Sequence, residues 1–297
     1  MKLENERLRV AFAAPEELCT QRFDHTAQVS EVILDGKYAF CTPEQVLPGR
    51  VTTEGRGLCG EFVLAEAAEA AKAGQWFCKP GVGLLKQLAD GAPYDMWKSY
   101  ECRPFRVTAE LTSDRAVFRQ AAIPGSYAVD VGKVFTLEEN RLILDITLTN
   151  SGEKACFVQE YQHNFVSLEG KAIDRGYILD LACDRTLAQI EGSTLRQGDE
   201  IRLPSAVAAS ENRVVWEKEM TGKVLYHRSG DIDPGKPYRW TLRHTHSPAS
   251  VTEETDFCPT RIDIWAVEHC VCTEFYNACA IAPGEQAHWR RTWRFED

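Results

Sequence analysis

Residues Arg141–Asn150 read RLILDITLTN, and their side chains repeat with a period of two: Leu142, Leu144, Ile146 and Leu148 fall on one face, Asp145, Thr147 and Thr149 on the other. That is the pattern of a strand with one face in a core. Just upstream, Val129, Val131, Phe135 and Leu137 share a face in the same way, and the turn-prone pair Glu139-Asn140 joins the two runs as a hairpin. Working outward, residues 28–34, 105–111, 155–168, 224–227, 239–246, 262–267 and 288–295 carry similar strand-like runs. One segment, residues 61–73, is rich in Ala and Glu and closes on Gly74, which predicts a short helix outside the sheets with Glu66 and Glu69 on its wet face. Strands without intervening helices exclude a doubly wound α/β fold, and no linker, low-complexity tract or repeat divides the chain. The expectation is an all-β protein: one domain over residues 1–297, built as a large antiparallel β-sandwich with one or two short helices.

Composition narrows the partners. Hydrophobic residues make up 44% and charged residues 26% of the 297, ample for a core. The formal net charge of -10, with no run of Lys and Arg, lacks the basic footprint that nucleic acid requires. The N-terminal residues carry scattered charges rather than the apolar stretch of a signal peptide, and no run reaches the ~18 apolar residues of a membrane span. A cytoplasmic protein with no membrane partner is expected. Eleven cysteines without a repeated CxxC spacing suit reduced, buried thiols better than a disulfide framework. Cys270 and Cys272 should point the same way from one strand. His244 and His246 also share a strand face and could bind zinc with His227 or His269, but such pairs serve more often as a polar face, and no metal is expected. Trp240, Trp265, Trp289 and Trp293 recur on strands and are more often core than platforms. Gly81-Val82-Gly83 lacks the context of a nucleotide site.

Residues 140–170, NRLILDITLTNSGEKACFVQEYQHNFVSLEG, resemble the centre of the aldose 1-epimerases, or galactose mutarotases. Tyr161-Gln162-His163-Asn164-Phe165-Val166-Ser167-Leu168 is similar to that family's T-N-H-S-Y-F-N-L, with the His and the final Leu in register. Further on, Val271-Cys272-Thr273-Glu274-Phe275-Tyr276 resembles the family segment holding its catalytic Glu, and is followed likewise by Pro283-Gly284-Glu285 and a last strand. The resemblance implies a galactose mutarotase-like supersandwich, with His163 as general acid, Glu274 as general base, a monosaccharide or small sugar-derived substrate, and no cofactor. The family's G-R-x-x-N-R and H-G-G segments do not occur here. Gln21-Arg22-Phe23-Asp24-His25 and Gly57-Leu58-Cys59-Gly60-Glu61-Phe62 mark the divergence instead, so the sugar is left open.

Interconverting anomers means taking a proton from the C1 hydroxyl while giving one to the ring oxygen, which one base and one acid accomplish. A carboxylate and an imidazole working near neutral pH suit both directions. Around them a sugar needs aromatic faces and planar polar groups, for which Arg22, Asp24, Trp76, Lys79, Arg243 and Trp265 are the candidates. Arg22 and Asp24 flank Phe23 as a charged pair, and Arg243 could reach a sugar carboxylate. Taken singly, His163 is more often a satisfied core histidine and Glu274 as often a surface strand residue; the two together fill both roles. The competing functions are a sugar-binding protein without turnover and a uronate lyase or isomerase on the same scaffold, in which an Arg would support an enolate. Nothing in the sequence signals quaternary structure.

Overall fold

A computed structural model describes residues 1–46, 52–182, 187–189, 193, 201–208, 211–222, 224–229 and 238–297. Arg141–Asn150 forms the strand its alternation demands, and Leu142, Leu144, Ile146 and Leu148 are fully buried. It pairs residue for residue with Val129–Glu138 across the two-residue turn, where Glu139 adopts φ 52°. Its other edge pairs with Gln286–Glu296. This trio is the middle of a ten-stranded sheet that continues through Ser250–Thr255, Arg239–His244 and Tyr177–Leu181 on one side and Arg115–Gln120 and Val107–Leu111 on the other.

A second ten-stranded sheet packs against it. Its central strands run in the order Leu58–Val63, Cys156–Asn164, Cys270–Ile281, Arg261–Val267 and Leu225–Ser229, each antiparallel to the next. Trp76–Lys79, Gly83–Lys86 and Cys102–Pro104 make a small third sheet. The chain therefore has the expected antiparallel β-sandwich architecture. Among the described residues no helix is long and apolar enough to cross a membrane.

The helix expected over residues 61–73 is shorter and starts later. Leu58–Val63 is a strand paired with the His163 strand, and only Ala65–Glu69 is helical. Cross-strand pairing of Glu61 with Tyr161 overrides the helix preference of the Ala/Glu run. Gly74 does take the left-handed conformation, at φ 80°, in a turn beyond the helix.

The interface between the sheets is pinned by a buried polar network. Arg291 is fully buried; its Nη1 donates to Glu253 Oε1 at 2.7 Å and its Nη2 to Glu160 Oε2 at 2.7 Å and to the Phe275 carbonyl at 2.7 Å. Trp289 donates to Glu160 and Trp240 to Glu253. Lys133 and Asp24 form a second buried ion pair nearby. Removing one member of such a network strands the others as unpaired charges in the core. Arg291→Met is expected to lower unfolding stability by ~3–5 kcal/mol, measured as the shift of the urea midpoint at neutral pH.

Candidate functional site

The face of the second sheet turned away from the first carries two rows of side chains. The register sets Glu61 opposite Tyr161, Tyr161 opposite Tyr276, and Tyr276 opposite Arg261. One step along, Cys59 stands opposite His163, and Glu274 opposite Asp263, which in turn faces Arg228. Because side chains alternate, all of these leave the sheet on the same side, and intervening residues such as Glu160, Asn164 and Phe275 point to the core.

Between the His163 and Glu274 strands the backbone pairing is interrupted. Tyr161–Tyr276 closes the ladder on one side and the Val166–Val271 bridge reopens it on the other. Counting inward from either end places His163 opposite Glu274 and Asn164 opposite Thr273. The first pair meets through its side chains, His163 Nε2 lying 3.1 Å from Glu274 Oε1. In the second, Asn164 Nδ2 donates to the Thr273 carbonyl at 2.8 Å and to Glu253 at 2.9 Å, while Trp293 Nε1 donates to its Oδ1 at 3.1 Å. Asn164 thus replaces a missing ladder bond and ties the site to the core network.

The imidazole of His163 is packed among rings. Phe165 stacks on it with centroids 4.0 Å apart and planes 10° apart, and Phe23 and Trp265 approach edge-on. Burial, and then the positive charge of Arg22, hold His163 well below the usual histidine range. Burial and the neighbouring Asp263 push the Glu274 carboxyl up to about 8, although Arg22 and a hydrogen bond donated by the Tyr276 hydroxyl at 3.0 Å favour its charged form. The free site therefore rests at neutral pH as a carboxylic acid against a neutral imidazole.

A cavity of about 870 Å³ opens over this pair, walled by Arg22, Glu61, Tyr161, Tyr226, Arg261 and Trp265, with Tyr94 and the exposed Trp97 at its rim. Arg22 Nε donates to Glu61 at 2.8 Å, and its Nη2 donates to the Tyr161 hydroxyl at 2.6 Å. Burial works to raise the Glu61 carboxyl, but Lys79 and Arg22 outweigh it and hold Glu61 below the usual range.

Of the residues singled out from the sequence, the structure gathers His163, Glu274, Arg22 and Trp265 around one cavity. Lys79 stands behind the wall, its Nζ donating to Glu61 at 2.8 Å and to the Phe62 carbonyl at 2.7 Å, so it acts on the site through Glu61. Three candidates lie elsewhere. Asp24 is fully buried between the sheets, where Lys133 takes its charge. Trp76 is on the third sheet between Arg103 and Lys86, lining a different groove. Arg243 is in the other ten-stranded sheet, paired with Asp180 at 3.1 Å. Trp240, Trp289 and Trp293 are core, and Cys270 and Cys272 do point together, Sγ atoms 3.5 Å apart. His244 contacts Asp174 while His246 is exposed, and among the described residues no three His, Cys, Asp or Glu side chains are grouped to hold a metal ion.

Sequence reasoning missed Glu61, Tyr161, Tyr226, Arg228, Arg261, Asp263 and Tyr276. One signal was available for part of this set: Arg261, Asp263 and Trp265 alternate with Ile262, Ile264 and Ala266, a charged face on a strand whose other face is core.

No protein-family model matches the chain, and no curated protein sequence does. Solved structures do. A galactose mutarotase related enzyme from Lactobacillus acidophilus superposes with a TM-score of 0.63 at 13% identity, over 100% of this chain and 97% of that one. A galactose mutarotase-like protein from Lactobacillus casei gives 0.61 at 11% identity, over 100% and 99%, and an aldose epimerase homologue from C. elegans gives 0.60 at 11%, over 100% and 98%. The fold is galactose mutarotase-like.

The Glu274 environment has a consequence for stability. Its pKa is raised in the folded state, so between the unfolded value near 4.5 and the folded value of about 8 the folded chain holds a proton that the unfolded chain has lost. The group's contribution is full below that window and falls as pH rises through it. Glu274→Gln removes the titration, so the wild-type protein should lose stability relative to the variant between pH 5 and pH 8, read from urea midpoints of both across that range.

Proposed function

We propose that the chain is a cofactor-free sugar isomerase of the aldose 1-epimerase type, opening and reclosing a hemiacetal between Glu274 and His163. The observation that carries this reading is the direct opposition of the two groups, 3.1 Å apart, beneath a cavity large enough for a sugar. The aromatic walls suit the apolar face of a pyranose, and Arg22 and Glu61, although bonded to each other, add polar groups to the wall for its hydroxyls.

Opening the ring breaks the C1–O5 bond, moves the O1 proton to a base and delivers a proton to O5. The pair holds one proton between two basic atoms. With that proton on Glu274 the imidazole is the free base; transferred across the contact, it leaves a carboxylate base and an imidazolium acid. The second arrangement is the one assigned to Glu274 as base and His163 as acid. After rotation about C1–C2, closure on the other face of the aldehyde returns both protons, so the pair is regenerated each turn. It is competent only while it carries one proton in total.

The test is the relaxation of freshly dissolved single anomers of aldoses and uronates, followed by polarimetry or proton NMR. The protein should accelerate relaxation of at least one, and Glu274→Gln or His163→Asn should each lower the rate by ~10²–10⁴-fold while the fold is kept. No acceleration across the panel overturns the epimerase reading. Because the shared proton is lost above the Glu274 pKa, kcat/KM should fall as pH rises beyond about 8, in a rate profile recorded from pH 5 to pH 10. A second reading draws on the position of Arg22, which stands in the same cavity as the acid–base pair, where a uronate lyase would need a cation to support its enolate. An unsaturated product absorbing in the ultraviolet would identify that chemistry.

A further inference from the structure

Two corners of the cavity wall each set two cations against one buried carboxylate. Glu61 is held by Arg22 and Lys79 at one corner, and Asp263 by Arg228 and Arg261 at the other. At the second corner Arg228 already makes the full bidentate pair, Nε to Oδ1 at 2.9 Å and Nη2 to Oδ2 at 3.0 Å, and the Tyr226 hydroxyl donates to Oδ2 at 3.0 Å. Asp263 is satisfied without Arg261.

Arg261 is placed differently. Its one ion contact is Nη2 to Asp263 Oδ2 at 3.2 Å; among the described residues none of its N–H groups is in hydrogen-bond geometry with a protein acceptor, and its Nε is buried without a partner. The guanidinium instead lies over the Tyr276 ring, 3.6 Å from the centroid, extending the Tyr161–Tyr276 stack, whose centroids are 4.5 Å apart. Stacking fixes its plane and leaves its donors at the cavity wall.

We infer that Arg261, backed by Arg228, is the specificity residue of this cavity and takes an anionic substituent, a carboxylate or phosphate group, on the sugar. The inference rests on the reading of the cavity as a sugar site. A flat guanidinium fork matches two oxygens of one anionic group, whereas a neutral hydroxyl occupies one donor and leaves the surplus charge of the corner unbalanced. Position agrees as well. Arg261 stands opposite Tyr276, two residues along the same strand face from Glu274, or about 7 Å at the rise of an extended strand. The inference sets the anomeric centre at Glu274 and His163 and the substituent of the carbon beside the ring oxygen toward that neighbouring row.

The test is equilibrium binding, by calorimetry or ligand-observed NMR, of matched sets in the gluco, galacto and manno series: the aldohexose, its uronate and its 6-phosphate. Wild-type protein and Glu274→Gln should both bind the anionic member of at least one series at least tenfold more tightly than its neutral parent. The uronate and phosphate arms distinguish the two sources of charge. In Arg261→Met the ratio of anionic to neutral affinity should fall at least tenfold. Arg261→Lys, which keeps the charge and loses the fork, should fall between and guards against a misfolded Met variant. The inference is overturned when the neutral member binds as tightly in every series, when nothing binds, or when the anionic preference survives in both Arg261 variants. Anionic preference without anomer turnover would remove the epimerase reading and keep this one; turnover of neutral aldoses without anionic preference would do the reverse.

Discussion

In an extended strand, neighbouring side chains must leave by opposite faces, and at His163-Asn164 that constraint joins the cavity to the core. His163 points outward to Glu274, and Asn164 points inward to Glu253, Trp293 and the Thr273 carbonyl. The gap in the ladder at this point frees the two strands from pairing by backbone bonds alone. The side-chain amide of Asn164 bridges them there, held in turn by the buried network around Arg291. The site is therefore tied to the interface between the sheets, and a register slip of one residue would send His163 into the core.

The same geometry sets the electrostatics. A ring cage of Phe23, Phe165 and Trp265 strips water from His163, and the cross-strand position of Asp263 places a second carboxyl beside Glu274. Both effects favour the uncharged forms of the pair, which leaves one mobile proton between two groups in contact. Arg228 holds the charge of Asp263, and Arg22 with Lys79 holds that of Glu61, so both wall carboxylates are compensated locally and each corner keeps one cation in excess. Burying this many ionisable groups costs stability, and pairing within the cross-sheet network limits that cost without making it a net gain.

Much of the architecture was legible because period two is a local signal. Leu142, Leu144, Ile146 and Leu148, and the turn at Glu139-Asn140, needed only their neighbours to be read. The helix over residues 61–73 was misjudged for the opposite reason: its Ala and Glu favour a helix in isolation, and only the partner strand, distant in sequence, makes Leu58–Val63 extended. Asp24, Trp76 and Arg243 failed as wall residues because composition cannot say on which side of a sheet, or on which sheet, a polar side chain emerges.

The sequence by itself determined the strands with clear alternation, such as Val129–Glu138 and Arg141–Asn150, the antiparallel sandwich they imply, and the pair of segments holding His163 and Glu274, since each follows from alternation or from a motif within a few residues. Only the tertiary structure decided that these two face each other in a ladder gap, that Arg22 arrives over them from a remote loop, and that Arg261, Asp263 and Arg228 complete the wall. Those relations depend on strand order and register, which bring together residues more than a hundred positions apart, and the free energy that fixes them is distributed over the packing of both sheets rather than written in any one stretch of chain.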